Sequence, residues 1–327
     1  MELVPKNTTV VGNTTSNFWL FDPATGFDLT HPSSPEAPLV KPRFRLLTTT
    51  MPITIAPDKT GLIIIDMQNF FLSSAMGAKR GQGHDAQDKL LSHAIPAARQ
   101  ANIQVIHVTW GISDQELAVL PPVLFRAFGY REAENTQNFN IGAHSSPLGL
   151  DKEVKLTKGI GDDLGDVKLR DGSTVPAGRK LIRDQWNTGL HGPLQESFDK
   201  SQTTALPDVR FHKSRLSGFW GGSSSCLEYL KENGITTLLF SGVNTDQCVL
   251  ASLQDACNMG YDTILLKDAC GTDSPEYTIK MVEYNCRKSW GFVSDCQALV
   301  DGAKSLEYKF QDPPPGAFNP VGSLCSE

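Results

Sequence analysis

Three residues of this chain stand where nucleophilic chemistry can be done. Asp66 ends the apolar run Thr60-Gly61-Leu62-Ile63-Ile64-Ile65, and Lys213 follows the short run Val209-Arg210-Phe211. Cys248 lies eight residues beyond the apolar run ending at Phe240, in the first turn of a helix read over 246–259. A free thiol is mostly protonated at neutral pH. A helix N-terminus and a nearby ammonium lower its pKa, and a carboxylate can take its proton. The thiolate can then attack a carbonyl carbon, with backbone N–H groups of the 242–248 turn to hold the oxyanion. Each residue alone has a plainer reading. An Asp at a strand end caps a turn, a Lys is solvated, and a Cys beside Val249 and Leu250 is a small core residue. The joint placement at three strand ends favours chemistry.

The elements around them alternate. Strands are read over 60–66, 104–110, 209–211, 235–240, 261–266 and 292–293, and helices over 86–101, 225–232, 246–259, 275–286 and 296–303. This alternation predicts an α/β, three-layer Rossmann-like fold: a mostly parallel six-stranded sheet with helices on both faces and a large insertion after the second strand. Ligands in such sheets sit at the carboxyl ends of the strands. Residues 1–57 lack helical or strand periodicity and read as an extended N-terminal arm, 58–305 as the catalytic domain, and 306–327 as a C-terminal tail. Within the domain, 111–207 is largely insertion or lid, with a hairpin expected around Asp171-Gly172.

At 327 residues, length alone suggests two domains, but the insertion carries no clear core of its own, so one domain is favoured. The net charge of −6 argues against a nucleic-acid or anionic-membrane partner. No apolar stretch approaches the roughly 20 residues of a membrane helix. No signal peptide is read at the N-terminus, and the cysteines are not in CxxC pairs. The expectation is a cytoplasmic enzyme with reduced thiols, one of them the nucleophile. Ser223-Ser224-Ser225 after Gly221-Gly222 superficially resembles a phosphate cradle; lacking a following Gly-Lys, it reads as a helix cap.

Four motifs in order carry a resemblance: Ile64-Ile65-Asp66-Met67-Gln68-Asn69-Phe70-Phe71, Lys213-Ser214-Arg215-Leu216-Ser217-Gly218-Phe219, Ser241-Gly242-Val243-Asn244-Thr245-Asp246-Gln247-Cys248-Val249 and Asp255-Ala256-Cys257-Asn258-Met259-Gly260-Tyr261. Together they resemble the isochorismatase-like cysteine hydrolase superfamily, which includes isochorismatases, nicotinamidases, N-carbamoylsarcosine amidases and ureidoacrylate amidohydrolases. The resemblance covers roughly 60–110 and 181–303. It implies a triad of Asp66, Lys213 and Cys248. It also implies a cis peptide between Val243 and Asn244 that turns the Asn244 N–H toward the oxyanion, beside the Cys248 N–H. Dimers or tetramers are frequent in the superfamily, so a homo-oligomer is expected.

Departures from the pattern are informative. Nicotinamidases carry an Asp-X-His metal motif after the first strand; His84, His93 and His107 lack that arrangement, and His107 reads as a core residue. No metal and no cofactor is expected. Phe70 stands where many relatives have Asp, making the pocket entrance more apolar. Candidate pocket walls are Phe71, Trp110, Trp186 and Phe219. The reading is hydrolysis of a small-molecule amide or ureide through a thioester on Cys248. The alternatives are isochorismatase-type vinyl-ether hydrolysis, or a catalytically silent binding protein.

Overall fold

The computed structural model describes residues 8–14, 17–132, 154–156, 158–222 and 224–310. Its first five strands are β1 (Thr9–Asn13), β2 (Asn17–Asp22), β3 (Gly26–Asp28), β4 (Phe44–Leu46) and β5 (Ile53–Ile55). They form one sheet in the order β1-β2-β3-β5-β4. Residues 9–55 therefore do not run as an extended arm without strand structure. The alternation was unreadable because three of the strands are only three residues long.

This sheet is fastened to the body by polar contacts. The buried Asp262 carboxylate accepts from the Trp19 indole N–H (2.6 Å) and the Thr237 hydroxyl (2.8 Å), and meets the His31 ring at 2.7 Å. Lys59 Nζ donates to the carbonyls of Thr30 and His31. The Thr49 N–H and the Ser294 hydroxyl extend the seam by donating to the carbonyls of Val293 and Leu47. Trp19 and Phe27 pack on Phe292, with ring centroids 5.5 and 5.6 Å away.

The central sheet begins with β6 (Thr60–Ile65) and β7 (Gln104–Trp110). Every residue of both is buried, as expected of parallel strands covered on each face. The insertion contributes two short antiparallel pairs, β8 (Tyr130–Glu132) with β9 (Val154–Leu156) and β10 (Asp166–Lys168) with β11 (Thr174–Pro176). The second is the hairpin read at Asp171-Gly172. The sheet then resumes with β12 (Val209–Lys213), β13 (Thr237–Val243), β14 (Asp262–Gly271) and β15 (Phe292–Ser294). The order is β12-β7-β6-β13-β14-β15, and every ladder is parallel.

The direction of travel across the sheet reverses between β6 and β13. Right-handed crossovers then put the helical segment 82–100 on one face, and the helices Ser225–Glu232, Leu250–Asn258 and Glu276–Asn285 on the other. A final helix, Cys296–Phe310, packs beside 95–100; it runs past the end read at 303. The tail's Pro313-Pro314-Pro315 lies outside the described residues. Among the described residues, no helix is long and apolar enough to cross a membrane.

Asp262 joins the two sheets, and this yields a prediction. Replacing it by Ala leaves the Trp19 and Thr237 donors without an acceptor, costing about 2–4 kcal/mol. Urea unfolding should show a lower midpoint for Asp262→Ala and a smaller shift for Asp262→Asn. A change below about 0.5 kcal/mol in Asp262→Ala would mean the docking does not rest on this carboxylate.

Candidate active site

β6 and β13 lie side by side at the reversal point, and each delivers a reactive group just beyond its carboxyl end. Asp66 follows β6 directly, fully buried and with φ +53. Its N–H donates to Val108 O, and its carboxylate Oδ1 accepts from the Trp110 N–H at 3.2 Å. Gly242 lets the two strands close at this level. A Cβ there would stand 2.1 Å from Ile65 O, and its φ of +108 suits glycine alone. Beyond it, the Val243–Asn244 peptide is cis, and one turn of π-helix over Thr245–Val249 leads into the helix Leu250–Asn258. Cys248 sits in that turn with 1% of its surface exposed. The Gln247 and Val249 N–H groups are spent on Asn244 O, and Ser252 Oγ donates to Cys248 O at 2.7 Å.

Lys213 ends β12, two strands from Asp66, in register with Trp110 of the intervening β7. Its side chain crosses that tryptophan: Nζ lies 3.9 Å from the ring centroid and 3.0 Å from Asp66 Oδ2. Nζ also donates to the carbonyls of Arg215 and Leu216, both at 3.1 Å. The three residues nominated from sequence are therefore gathered at one place, with Cys248 and Asp66 near enough to shift each other's pKa.

Burial dominates the electrostatics. It raises the Asp66 carboxyl pKa, opposed by the Lys213 charge and by hydrogen bonds from Lys213, Cys248 and Trp110. It pushes the Cys248 thiol up to about 12, against the pull of Lys213. Cys226 and Cys286 are pushed equally far by burial, so acidity alone does not single out Cys248. What does is its company: an ammonium, and a carboxylate whose raised basicity suits it to receive a proton.

Two further residues matter that the sequence reading did not nominate. Gln68, fully buried, donates to the carbonyls of Trp110 and Thr188 (both 2.8 Å) and accepts from the Trp110 N–H at 2.9 Å. It pins the end of β7 and the end of the insertion to the loop carrying Asp66. Its signal was only its place two residues after Asp66. The other is Phe128, on the insertion's helix Pro122–Gly129. Its ring stands 5.2 Å from Trp110 and 6.2 Å from Phe70, which packs edge-on against Phe71 at 4.9 Å.

Of the four pocket candidates, Phe71 and Trp110 thus belong to one aromatic group. Phe219, fully buried, packs edge-on against Phe240 of β13. Trp186 is half-buried, and its carbonyl accepts from the Asn69 amide at 2.9 Å. The histidines are engaged elsewhere. His84 accepts from the Gly81 N–H and contacts Leu72 O, and His93 pairs with Ser92. His107 is buried in β7, 3.6 Å from Asp208, and burial lowers its pKa. Among the described residues, no group of three His, Cys, Asp or Glu side chains is placed to hold a metal ion.

Similarity to known proteins shows the family to which this fold belongs. The Isochorismatase domain model matches residues 60–284. The chain is 28% identical over 254 residues to ureidoacrylate amidohydrolase RutB of Acinetobacter baylyi, covering 76% of this chain and 85% of that protein. It is likewise 28% identical over 267 residues to RutB of Caulobacter vibrioides, covering 80% and 93%. A solved cysteine hydrolase from Pseudomonas syringae pv. phaseolicola shares the fold, with a TM-score of 0.53 at 16% identity over 82% of this chain and all of that one. The chain belongs to the isochorismatase family of hydrolases.

Burial holds the Cys248 thiol up at about 12, and the buried Trp110 side chain is a minor influence in the opposite direction. Modification of Cys248 by a small methanethiosulfonate should therefore be slow at pH 7 and accelerate as pH rises. In Trp110→Phe, which keeps an aromatic ring beneath Lys213, the profile should move to higher pH. An unmoved profile would remove Trp110 from thiolate stabilisation.

Proposed function

We propose that this protein is a cysteine-dependent amidohydrolase that cleaves the C–N bond of a small-molecule amide or ureide through a thioester on Cys248. The observation that carries the reading is the buried contact set of Asp66, Lys213 and Cys248, with Lys213 Nζ 3.0 Å from the Asp66 carboxylate. The curated relatives named as ureidoacrylate amidohydrolases support the C–N specificity.

Asp66 takes the Cys248 proton as the sulfur attacks the substrate carbonyl. Its raised pKa narrows the gap to the thiol, so the transfer is less uphill than to an ordinary carboxylate. Lys213 takes no part in the proton transfer. It holds Asp66 in place, and its field favours the thiolate once that forms. The developing oxyanion is held by the backbone N–H groups of Asn244 and Cys248. Collapse of the tetrahedral adduct breaks the C–N bond, and the proton on Asp66 leaves with the amine or ammonia. A water molecule, deprotonated by Asp66, then hydrolyses the thioester, and the thiol recovers its proton. The aromatic group of Phe70, Phe71, Trp110 and Phe128 supplies an apolar wall. No step calls on a cofactor. The homo-oligomer is carried over from the family resemblance, and the cytoplasmic location from the reading of the cysteines as reduced thiols.

A panel of ureides and small amides tests the reading through ammonia release. Cys248→Ala and Asp66→Asn should each lower kcat by about 10²–10⁴ or more on the best substrate. In wild type, a quenched reaction should trap an acyl adduct on Cys248, seen as a mass increase. Full turnover by Cys248→Ala would exclude the covalent route. Pyruvate release from a vinyl ether, without ammonia from any amide, would transfer the enzyme to isochorismatase chemistry.

A further inference from the structure

Edge strand β12 borders a cavity of about 430 Å³ whose lining includes Lys213 but neither Asp66 nor Cys248. Three guanidinium groups line it, Arg183, Arg210 and Arg215, and Glu116 is the one carboxylate among its lining residues. Arg183 is committed to that carboxylate at 2.8 Å and also donates to Gly111 O. The other two have no carboxylate within ion-pair reach among the described residues. Arg210 is half-buried and donates to Thr109 Oγ1 (3.1 Å) and Thr188 O (2.6 Å). Among the described residues, no carboxylate lies within 4 Å of it; Asp184 acts on it only from farther away. Arg215 donates to Ser214 O and lies over the Trp220 ring, 4.7 Å from its centroid, again without a carboxylate in reach. His212 adds no charge at neutral pH, because burial and the neighbouring guanidiniums hold its pKa down to about 4.

A half-buried cation without a counter-charge is unfavourable, and an anion between two such groups removes the penalty. The local backbone favours the same ligand. Ser224 and Ser225 line the cavity at the start of the helix Ser225–Glu232, where Ser224 Oγ caps the Leu227 N–H. The positive end of that helix therefore faces the cavity. Trp220, 60% exposed, adds an apolar wall for a carbon skeleton.

We infer that this cavity binds the carboxylate of a small organic acid, with Arg210 and Arg215 as its counter-charges. Planar guanidinium groups meet a carboxylate with paired hydrogen bonds, which suits them to this ligand. Lys213 connects the cavity to the catalytic centre: it lines the cavity, and its ammonium is held by the carbonyls of Arg215 and Leu216. An acid seated there presses on the segment that positions the catalytic lysine. The ligand is either the acid end of the substrate or a separate organic acid, and the test separates them.

Full-length Cys248→Ala protein, which cannot turn over, is titrated with malonate by calorimetry and by Trp fluorescence. Binding should be saturable, weaken as salt rises, and weaken at least about tenfold in Arg215→Gln and in Arg210→Gln. Arg215 bonds only within its own loop and to Val119, so Arg215→Gln keeps the test valid if Arg210→Gln fails to fold. No saturable binding below about 10 mM, or binding unchanged by Arg215→Gln, overturns the inference. With active enzyme, malonate that raises KM for a carboxylated ureide but not for a neutral amide identifies the substrate's own acid end. Malonate that changes kcat for both identifies a separate acid. The calorimetric result stands whether or not Cys248 is the nucleophile.

Discussion

A lysine ammonium and an aspartate carboxylate face each other at 3.0 Å with almost no solvent contact, and much of the active-site architecture exists to make that tolerable. Two charges withdrawn from water lose several kcal/mol of hydration each, and mutual attraction repays this only with good geometry and added hydrogen bonds. Here the added partners are specific. Asp66 receives a backbone N–H from Trp110, while Lys213 has two carbonyls and the face of an indole. None of these comes from the strand that carries the residue it serves. The ion pair thus requires β6, β7 and β12 to end at one level, and Gln68 fixes that level by bonding both the N–H and the C=O of Trp110. The thiol joins as a neutral third member, because burial disfavours a further anion beside Asp66.

The alternation of strands and helices was legible because each central strand is a continuous apolar run, the mark of burial on both faces. The strands read as 235–240 and 261–266 extend to Val243 and Gly271. Their last residues are small or polar and look like loop, yet Ser241 stays in the sheet by donating to Ile63 O. The convergence of Asp66, Lys213 and Cys248 was legible for a related reason: parallel strands deliver their next residues to a common edge, so reactive types at strand ends converge. What could not be read was contact made across long sequence separations. Phe128 reaches Trp110 from within the insertion, and Asp262 collects Trp19 and His31 from more than 200 residues upstream. Neither pairing leaves a periodic trace in the chain.

The insertion and the N-terminal sheet play different parts. The insertion returns to the active centre through Asn187 and Thr188. Asn187 accepts from the Leu181 N–H and donates to the carbonyls of Ala177 and Arg179. Thr188 O receives both Gln68 and Arg210. One carbonyl therefore joins the loop of Asp66 to the arginine of the edge cavity. The N-terminal sheet, by contrast, lies on the far side, against β14 and β15.

The seam at Asp262 also separates two notions of a boundary that usually coincide. The family-wide portion of the chain starts at residue 60, at the first strand of the central sheet. A fragment trimmed to that point would keep every residue of the proposed catalytic centre. It would lose Trp19 and His31, uncover Phe292, and leave Asp262 with only Thr237 for a side-chain partner. Ancestral kinship and foldable unit thus part company here: the smallest piece recognisable by descent is not the smallest piece whose surface is finished.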